Sequence, residues 1–425
     1  MLSSVLEERM NHITEEGVGS AIKEAPLIDK KERYMTNKQN NQSNENNQNN
    51  QNNTKIQNKT NNQSNTNNID ITINTNYSDH LTLMTEYGLT KQQIQSVEGF
   101  LDQGLMIGRV ITQHSNIYTL MTTSGAIPAE ASGKYRFLHE LDGYYPVIGD
   151  FVVYEPVDNG TRGIIRELVQ RRSKFSRKVA GNETVEQCVA ANFDTVFIFN
   201  ALNKDFNIRK IERYLSIAWD SGGTPVIILS KADLADEVEA RLAAVEAAAI
   251  GVEVIAISSL EGTNLDRLRA YMGPRQTIAF LGASGVGKST LVNALAGEAL
   301  LKTNEVRASD DRGKHTTTHK ALITLPDGTM LMDTPGMREL GMWSNEEGIT
   351  ESFHDIEQLA THCKFSDCTH KKEPGCAIRT AIQTGNLEEK RYKNYQHLLR
   401  EAAFVEAKAR QRQRIETKKI AQSRK

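Results

Sequence analysis

The stretch from Gly282 to Ser289 reads GASGVGKS and fits the spacing G-x-x-x-x-G-K-S. Glycines at those places let backbone N–H groups converge on a phosphate, Lys288 can reach the outer phosphate oxygens, and Ser289 can ligate Mg2+. The apolar run TIAFL comes before it and the helical STLVNALAG overlaps its end, the strand-to-helix setting such a loop needs. Gly282, Ala283, Ser284, Gly285, Val286, Gly287, Lys288, Ser289 and Thr290 are therefore candidate nucleotide-binding residues. DTPG closes the next apolar run, where Asp333 can hold Mg2+ through water and the Gly336 N–H can meet a γ-phosphate. SKAD decides between purines. A carboxylate at Asp233 accepts from N1–H and the 2-amino group of guanine, two donors that adenine lacks. Lys231 would lay its stem along the base, Ala232 sits between the two, and Ser230 stands where GTP-binding domains usually carry Asn or Thr. ISSLEG, with Ser258 and Ser259, falls where a loop would support guanine O6, unless it is a plain strand-end turn.

These motifs run in an unusual order: base reader, base support, phosphate loop, then the phosphate-sensing loops. In a doubly wound sheet all of them lie at the carboxyl ends of strands, so the site depends on where the strands sit and not on where the chain is cut. Domain termini often lie close together, which makes circular permutation feasible. The chain therefore reads as a permuted GTP domain. Its phosphate-sensing DTPG loop leads straight into the C-terminal segment, so nucleotide state can be passed to that segment.

The elements that must position these loops are legible in the texture of the chain. Nearly continuous apolar runs (DTVFIFNAL, TPVIILSKADL, GVEVIAISS, QTIAFLGAS) alternate with helical stretches, as expected of βαβ units on a parallel sheet buried on both faces. KALITLPDGTMLMDTPG carries a PDG turn and predicts a hairpin, so the sheet should be mostly parallel with one antiparallel edge. Upstream, LMIGRVITQ, NIYTLMTT, GAIPAEAS, VIGDFVVYEP and RGIIRELVQR are short, punctuated and β-branched, which suits a small closed barrel of the OB type. QRRSKFSRK follows as a basic segment, either a solvated linker or an RNA-contacting strip.

A chain of 425 residues, 38% apolar and 24% charged, supports two or three packed domains, and a net charge of −2 does not mark it as a nucleic-acid binder overall. No apolar run is long enough to span a bilayer and the N-terminus lacks the pattern of a secretory signal, so a cytoplasmic location without membrane contact is expected. Residues 1–78 are dominated by Asn and Gln over much of their length and should form a disordered extension. The remaining divisions fall at 79–178 for the barrel with a lead-in helix and basic linker, 179–341 for the permuted domain, and 342–425 for a small helical metal-binding module.

Three of the four cysteines crowd into CKFSDCTHKKEPGC. Cys363, Cys368, His370 and Cys376 form a set matched to one structural Zn2+ with no open position. His362 adjoins the set as a decoy, and Cys188 reads as a small buried residue. The chain ends in a basic helical stretch, with eight Lys or Arg against one acid between Lys408 and Lys425, which suits phosphate contacts.

The permuted order, GKHTTTH, DTPGMREL, the Cys-x4-Cys-x-His-x5-Cys loop and the N-terminal barrel together resemble the RsgA/YjeQ family of circularly permuted GTPases. The resemblance covers about Leu83 to Lys425. It implies an OB-fold, an α/β permuted P-loop GTPase domain and a zinc-binding domain. It also implies contact with the small ribosomal subunit and its rRNA late in subunit maturation, and hydrolysis of GTP to GDP and phosphate stimulated by that subunit; GTP and GDP are the expected ligands and a monomer the expected state. HTTTH occupies the place of switch I, where one of Thr316, Thr317 or Thr318 should ligate Mg2+, with Thr317 and Thr318 the better placed. The position of the usual water-orienting Gln carries Arg338, so His315 is the candidate to place the attacking water, ahead of His319 and of a group from the ribosome. Two alternatives are a nucleotide-gated RNA-binding module with incidental hydrolysis, and a permuted GTPase of the large subunit.

Overall fold

The structure, a computed structural model, describes residues 79–139, 143–179, 182–301, 321–333 and 346–423. His315, Thr316, Thr317, Thr318, His319, Gly336 and Arg338, together with the Asn-rich extension, lie outside the described residues.

The five punctuated runs form β1 (Met106–His114), β2 (Ile117–Thr122), β3 (Gly125–Ala131), β4 (Phe151–Val157) and β5 (Arg162–Leu168). They pair in the order β1-β2-β3-β5-β4, and β4 returns to β1 to close the barrel. With the short helix α4 (Gly133–Leu138) between β3 and β4, this is the OB topology. Alternation along the strands turns Val110, Leu120, Ile127, Val152, Tyr154 and Ile165 into the barrel interior. The lead-in consists of α1 (residues 79–86), α2 (Lys91–Gln95) and α3 (Glu98–Leu101), packed on the outside of β1 and β4 through Met84, Val97, Leu101, Ile107 and Phe151. Thr90 and Gln93 form a capping box that starts α2.

His80 of α1 is fully buried, and the Ile107 N–H of β1 donates to its Nε2 at 3.2 Å. That bond needs a neutral ring, and burial pushes the His80 imidazole below its ordinary value. The unfolded chain therefore takes up a proton near pH 6.5 that the folded chain refuses, so stability is full above that pH and declines as pH falls below it. Urea midpoints should fall between pH 7.5 and about 5.5, and His80→Gln, which keeps an acceptor without titrating, should flatten that slope.

Downstream, β6 (Lys174–Val179) and β7 (Asn182–Ala191) form a two-stranded ribbon, followed by β8 (Thr195–Ala201), β9 (Thr224–Ser230), β10 (Glu253–Ala256), β11 (Thr277–Leu281), β12 (Ala321–Thr324) and β13 (Met330–Asp333). β10, β9, β8, β11 and β13 lie side by side in parallel, and β12 is antiparallel to β13, as the PDG hairpin predicts. Both faces are covered, which explains the uninterrupted apolar runs. Val196 and Ile198 of β8 face α5 (Ile208–Asp220) and α6 (Val238–Ala248), while Phe197 and Phe199 face α7 (Leu265–Leu268) and α8 (Lys288–Ala296).

One expectation is corrected. β12 is not a free edge, because Thr112 of β1 pairs with Ala321 and one continuous sheet runs from the nucleotide domain into the barrel. β1 does this by dividing its length: Met106–Arg109 pair with β4, its pairing with β2 shifts register between Val110 and Thr112, and Thr112 meets Ala321 of β12. The bulge lies where the strand passes from one partner to the other, and β12 is met at that pair.

The junction is tight. A Cβ on Gly149, whose φ is +84°, would lie 2.1 Å from the Ala191 carbonyl oxygen, so only glycine fits there. The basic segment is partly consumed at this seam: Arg171 pairs with the buried Asp150 at 2.7 Å and Arg172 with Asp194 at 2.6 Å. These two arginines are neither a solvated linker nor a free strip. Cys188, in β7, is only partly buried, and burial still pushes its thiol up to about 11.

The C-terminal module comprises α9 (Glu346–Ser352), α10 (His354–Thr361), α11 (Ala377–Thr384) and α12 (Glu389–Ser423), around Ile349, Phe353, Ile356, Ile378 and Leu398. It is clamped to α5. Glu212 of α5 accepts from Arg209, from Arg391 at 2.6 Å and from Asn394 at 2.7 Å, and Arg391 also reaches Asp355 at 2.7 Å. Gly348 permits the close approach, since a Cβ there would lie 2.4 Å from the Ser216 carbonyl oxygen. Among the described residues no helix is long and apolar enough to cross a membrane.

Candidate nucleotide site and metal centre

The register brings the carboxyl ends of the parallel strands to one level: Ala201 lies beside Ser230, Ala256 beside Leu229, and Leu281 beside Ile198. The loops that leave those ends are the ones the sequence singles out. After β11, the backbone passes through Gly282 at φ +157°, where a Cβ would meet the Phe199 Cβ at 2.8 Å, so the loop hugs β8. Gly285 at φ +76° and Gly287 at φ +97° complete the left-handed turns, and α8 begins at Lys288. Helix start and glycine turns together present backbone N–H groups to an anion.

Val286 is buried among Phe280, Leu291 and Val292 and anchors the loop to the core. The Lys288 ammonium donates to the carbonyls of Gly282 and Ala283, both at 2.8 Å, which holds the side chain across the loop's mouth. Ser284 and Gly285 are exposed at the tip, while Ser289 and Thr290 in the first turn of α8 are half-buried.

The base-reading candidates sit on the next strand but one. Ser230 ends β9 buried, and its hydroxyl donates to the Val286 carbonyl at 2.5 Å. Lys231 takes a left-handed conformation at φ +60° and starts a single 3-10 turn, Ala232–Leu234, which leaves Asp233 exposed. The Ala232 N–H donates to the Ile257 carbonyl at 3.0 Å, tying this turn to the loop after β10. There Ser258 is buried and its hydroxyl accepts from the Glu261 N–H at 3.2 Å, Ser259 is half-buried, and Asn264 bonds the Ala256 carbonyl at 2.7 Å. ISSLEG is thus a built loop beside the reader. Asp333 closes β13 at the same end of the sheet.

The structure also shows what the motifs do not reveal. The Ser230–Val286 bond joins residues far apart in sequence, and no spacing rule announces it. Its signal was the departure at Ser230 itself, a hydroxyl kept where Asn or Thr is usual.

In the C-terminal module Cys363, Cys368, His370 and Cys376 bring their ligand atoms within 4.8 Å of one another. The His370 Nδ1 lies 3.5 Å from the Cys363 sulfur and 3.4 Å from that of Cys376, and those two sulfurs are 4.0 Å apart. Four ligands about one small cation with bonds of roughly 2.0–2.3 Å give separations of this size, so the group can hold a metal ion. His370 reaches in from a left-handed backbone at φ +59°. Glu373 holds its loop by accepting from Thr369, Lys371 and Lys372 backbone N–H groups. His362 faces elsewhere, with its Nδ1 2.9 Å from the Gln358 carbonyl oxygen.

The comparisons agree with this geometry. The family model described as RsgA GTPase matches residues 168–343. The small ribosomal subunit biogenesis GTPase RsgA 2 of Lactiplantibacillus plantarum is 42% identical over 331 residues, covering 77% of this chain and 92% of that protein. The RsgA of Methanosarcina acetivorans is 40% identical over 305 residues, covering 72% of this chain and 81% of its own length. Among solved structures, YjeQ from Thermotoga maritima is similar with a TM-score of 0.52 and 27% identity, covering 70% of this chain and 98% of that one. YloQ, described as a circularly permuted GTPase, is similar with a TM-score of 0.51 and 25% identity, over 70% of this chain and 95% of that one. With the barrel, the reversed order of loops around one sheet and this identity over most of its length, the chain belongs to the RsgA GTPase family.

Proposed function

We propose that this GTPase binds the small ribosomal subunit and its rRNA late in maturation, and hydrolyses GTP to GDP and phosphate faster when bound there. The observation that carries the reading is the convergence of the SKAD turn and the phosphate loop at the same end of one sheet, on strands with only β8 between them, despite their reversed order in the chain. Asp233 reads guanine, with Lys231 and Ala232 beside the base and Ser258 and Ser259 supporting its O6. Gly282 to Thr290 cradle the phosphates and Lys288 neutralises charge on the β/γ oxygens. Ser289, Thr317 and Asp333 would hold Mg2+, which would supply further charge neutralisation. Gly336 meets the γ-phosphate, His315 orients the attacking water, and Thr318 supports the same segment.

In this reading residues 1–78 are an extension, 79–178 the barrel unit, 179–341 the permuted domain and 342–425 the metal module with its basic helix. The protein works as a cytoplasmic monomer, and its rRNA contacts come from the barrel and the basic end of α12. Co-sedimentation with purified small subunits tests the partner. Binding should be stronger with a non-hydrolysable GTP analogue than with GDP, and weak to large subunits; equal binding to both subunits would reject it.

The metal is zinc, in one structural site. Elemental analysis should find one equivalent per chain, lost in Cys376→Ser. Structural zinc supplies roughly 10–16 kcal/mol to a zinc-finger peptide, so chelation should melt the C-terminal module while the nucleotide domain keeps its own transition. Thermal melts with and without chelator read this directly.

A further inference from the structure

Resting on the metal reading above, we propose that Glu373 is a positioning residue for the metal centre, its carboxylate setting the backbone that aims His370 at the ion. The four ligands are not held alike. Cys376 is buried in the core of the module as the residue that starts α11, and Cys363 packs against that core. The stem carrying these two is closed by the Lys364 N–H, which donates to the Gly375 carbonyl at 3.1 Å, and by Gly375 itself, where a Cβ would lie 3.0 Å from that of Lys364. His370 lies instead in the irregular segment between α10 and α11, half-buried, with its backbone at φ +59°. A residue with a Cβ keeps that conformation only where its surroundings hold it. The Tyr392 ring stands edge-on to the imidazole with centroids 6.4 Å apart, which steadies the ring.

Glu373 holds the backbone. One of its carboxylate oxygens accepts from the Thr369 N–H at 3.1 Å and from the Thr369 hydroxyl, and the other accepts from the N–H groups of Lys371 and Lys372, both at 2.9 Å. Thr369 and Lys371 stand immediately before and after His370, so one side chain pins both flanks of the left-handed residue. Pro374 steers the Glu373 backbone to extended forms, and Gly375 at φ +73° then turns the chain toward α11. A carboxylate offers about four lone-pair sites, and these donors fill them. Glu373 is therefore not a fifth ligand: its oxygens are engaged with the loop, and it is not among the side chains whose ligand atoms gather within 4.8 Å. A glutamine there would present one accepting oxygen and could hold one flank but not both.

Two readouts on the full chain, stripped of metal and reloaded, test this: Zn2+ affinity by competition with a chromophoric chelator, and the visible spectrum of the Co2+-loaded protein. Glu373→Ala should weaken Zn2+ about ten- to a hundredfold, the range for removing a group that orients metal ligands, and Glu373→Gln should lose less. At saturation the Co2+ spectra of both variants should match the wild type, because the same four side chains close on the ion, whereas Cys368→Ser should alter it. Zn2+ affinity of Glu373→Ala within about twofold of wild type would overturn the proposal. So would an altered Co2+ spectrum at saturation, which would make Glu373 a ligand. If the alanine variant does not fold, Glu373→Gln decides alone: weaker binding with an unaltered spectrum supports the proposal, and unchanged binding overturns it. Failure of the wild type to take up either ion would instead refute the underlying metal reading.

Discussion

Arg109→Ala is expected to cost about 4 kcal/mol or more and to loosen the barrel from the nucleotide domain, because it strips donors from several buried carbonyls at once. Arg109 is fully buried in β1, and among its described partners there is no carboxylate. Its guanidinium donates to the carbonyls of Tyr87, of Gly149 at 3.3 Å and of Asn192 at 2.9 Å, and to the Thr277 hydroxyl at 3.0 Å. It also lies 4.9 Å from the centroid of the Phe151 ring. Lead-in, barrel, ribbon end and the start of β11 thus meet on one side chain. Burial pulls it down to about 9, which still leaves it charged at neutral pH. Each carbonyl left without a donor in the interior costs about 1–3 kcal/mol, against a total domain stability of roughly 5–15 kcal/mol. Urea unfolding followed by tryptophan fluorescence and by limited proteolysis should show the loss. Arg109→Lys should not repair it, since one ammonium cannot span the fan of acceptors that a planar fork reaches.

Lys288→Ala should lower GTP turnover by about a hundred- to a thousandfold, the scale for removing one preorganised group from developing charge. Lys288 is buried and bridges the Gly282 and Ala283 carbonyls at 2.8 Å, and in the function proposed above its ammonium is the cation that meets the phosphates. The core beneath is apolar and independent of it, built from Phe280, Val286, Leu291 and Val292. Melting temperature should therefore change much less than turnover. Single-turnover hydrolysis and thermal melts on the same preparation separate the two effects.

The parts of this molecule that were legible in sequence are those set by local chemistry. β8 could be recognised because a strand buried on both faces must be apolar at every position, and TVFIFNA is. The phosphate loop, the hairpin at PDG and the cysteine cluster each declare themselves within a few residues. What spacing does not encode is pairing between distant segments. Arg109 in the apolar GRVIT run was a visible oddity, but its acceptors at Tyr87, Gly149 and Asn192 come from segments scattered along the chain. The extension of the sheet from β12 into β1 depends on a bulge near Ile111, where no glycine or proline marks it. Glu212 looks like an ordinary charged position on α5, and only the docking of α12 makes it a buried hub for Arg391 and Asn394.

That docking bears on how nucleotide state reaches the C-terminal module. α9 begins at Glu346, shortly after the DTPG loop, and is already packed on α5. The module is held by the Glu212 cluster, by the Arg213–Glu401 pair at 3.0 Å and by the contact of Gly348 with Ser216. A signal from the phosphates would therefore act against a clamped module whose far end is anchored to the same domain that binds the nucleotide.

The measurement that tests the central claim most directly is GTP turnover by the purified full chain, alone, with small ribosomal subunits and with large ones, alongside Lys288→Ala. A rise confined to small subunits and absent from the variant is the predicted result. Turnover that small subunits leave unchanged, or that large subunits raise equally, would contradict it.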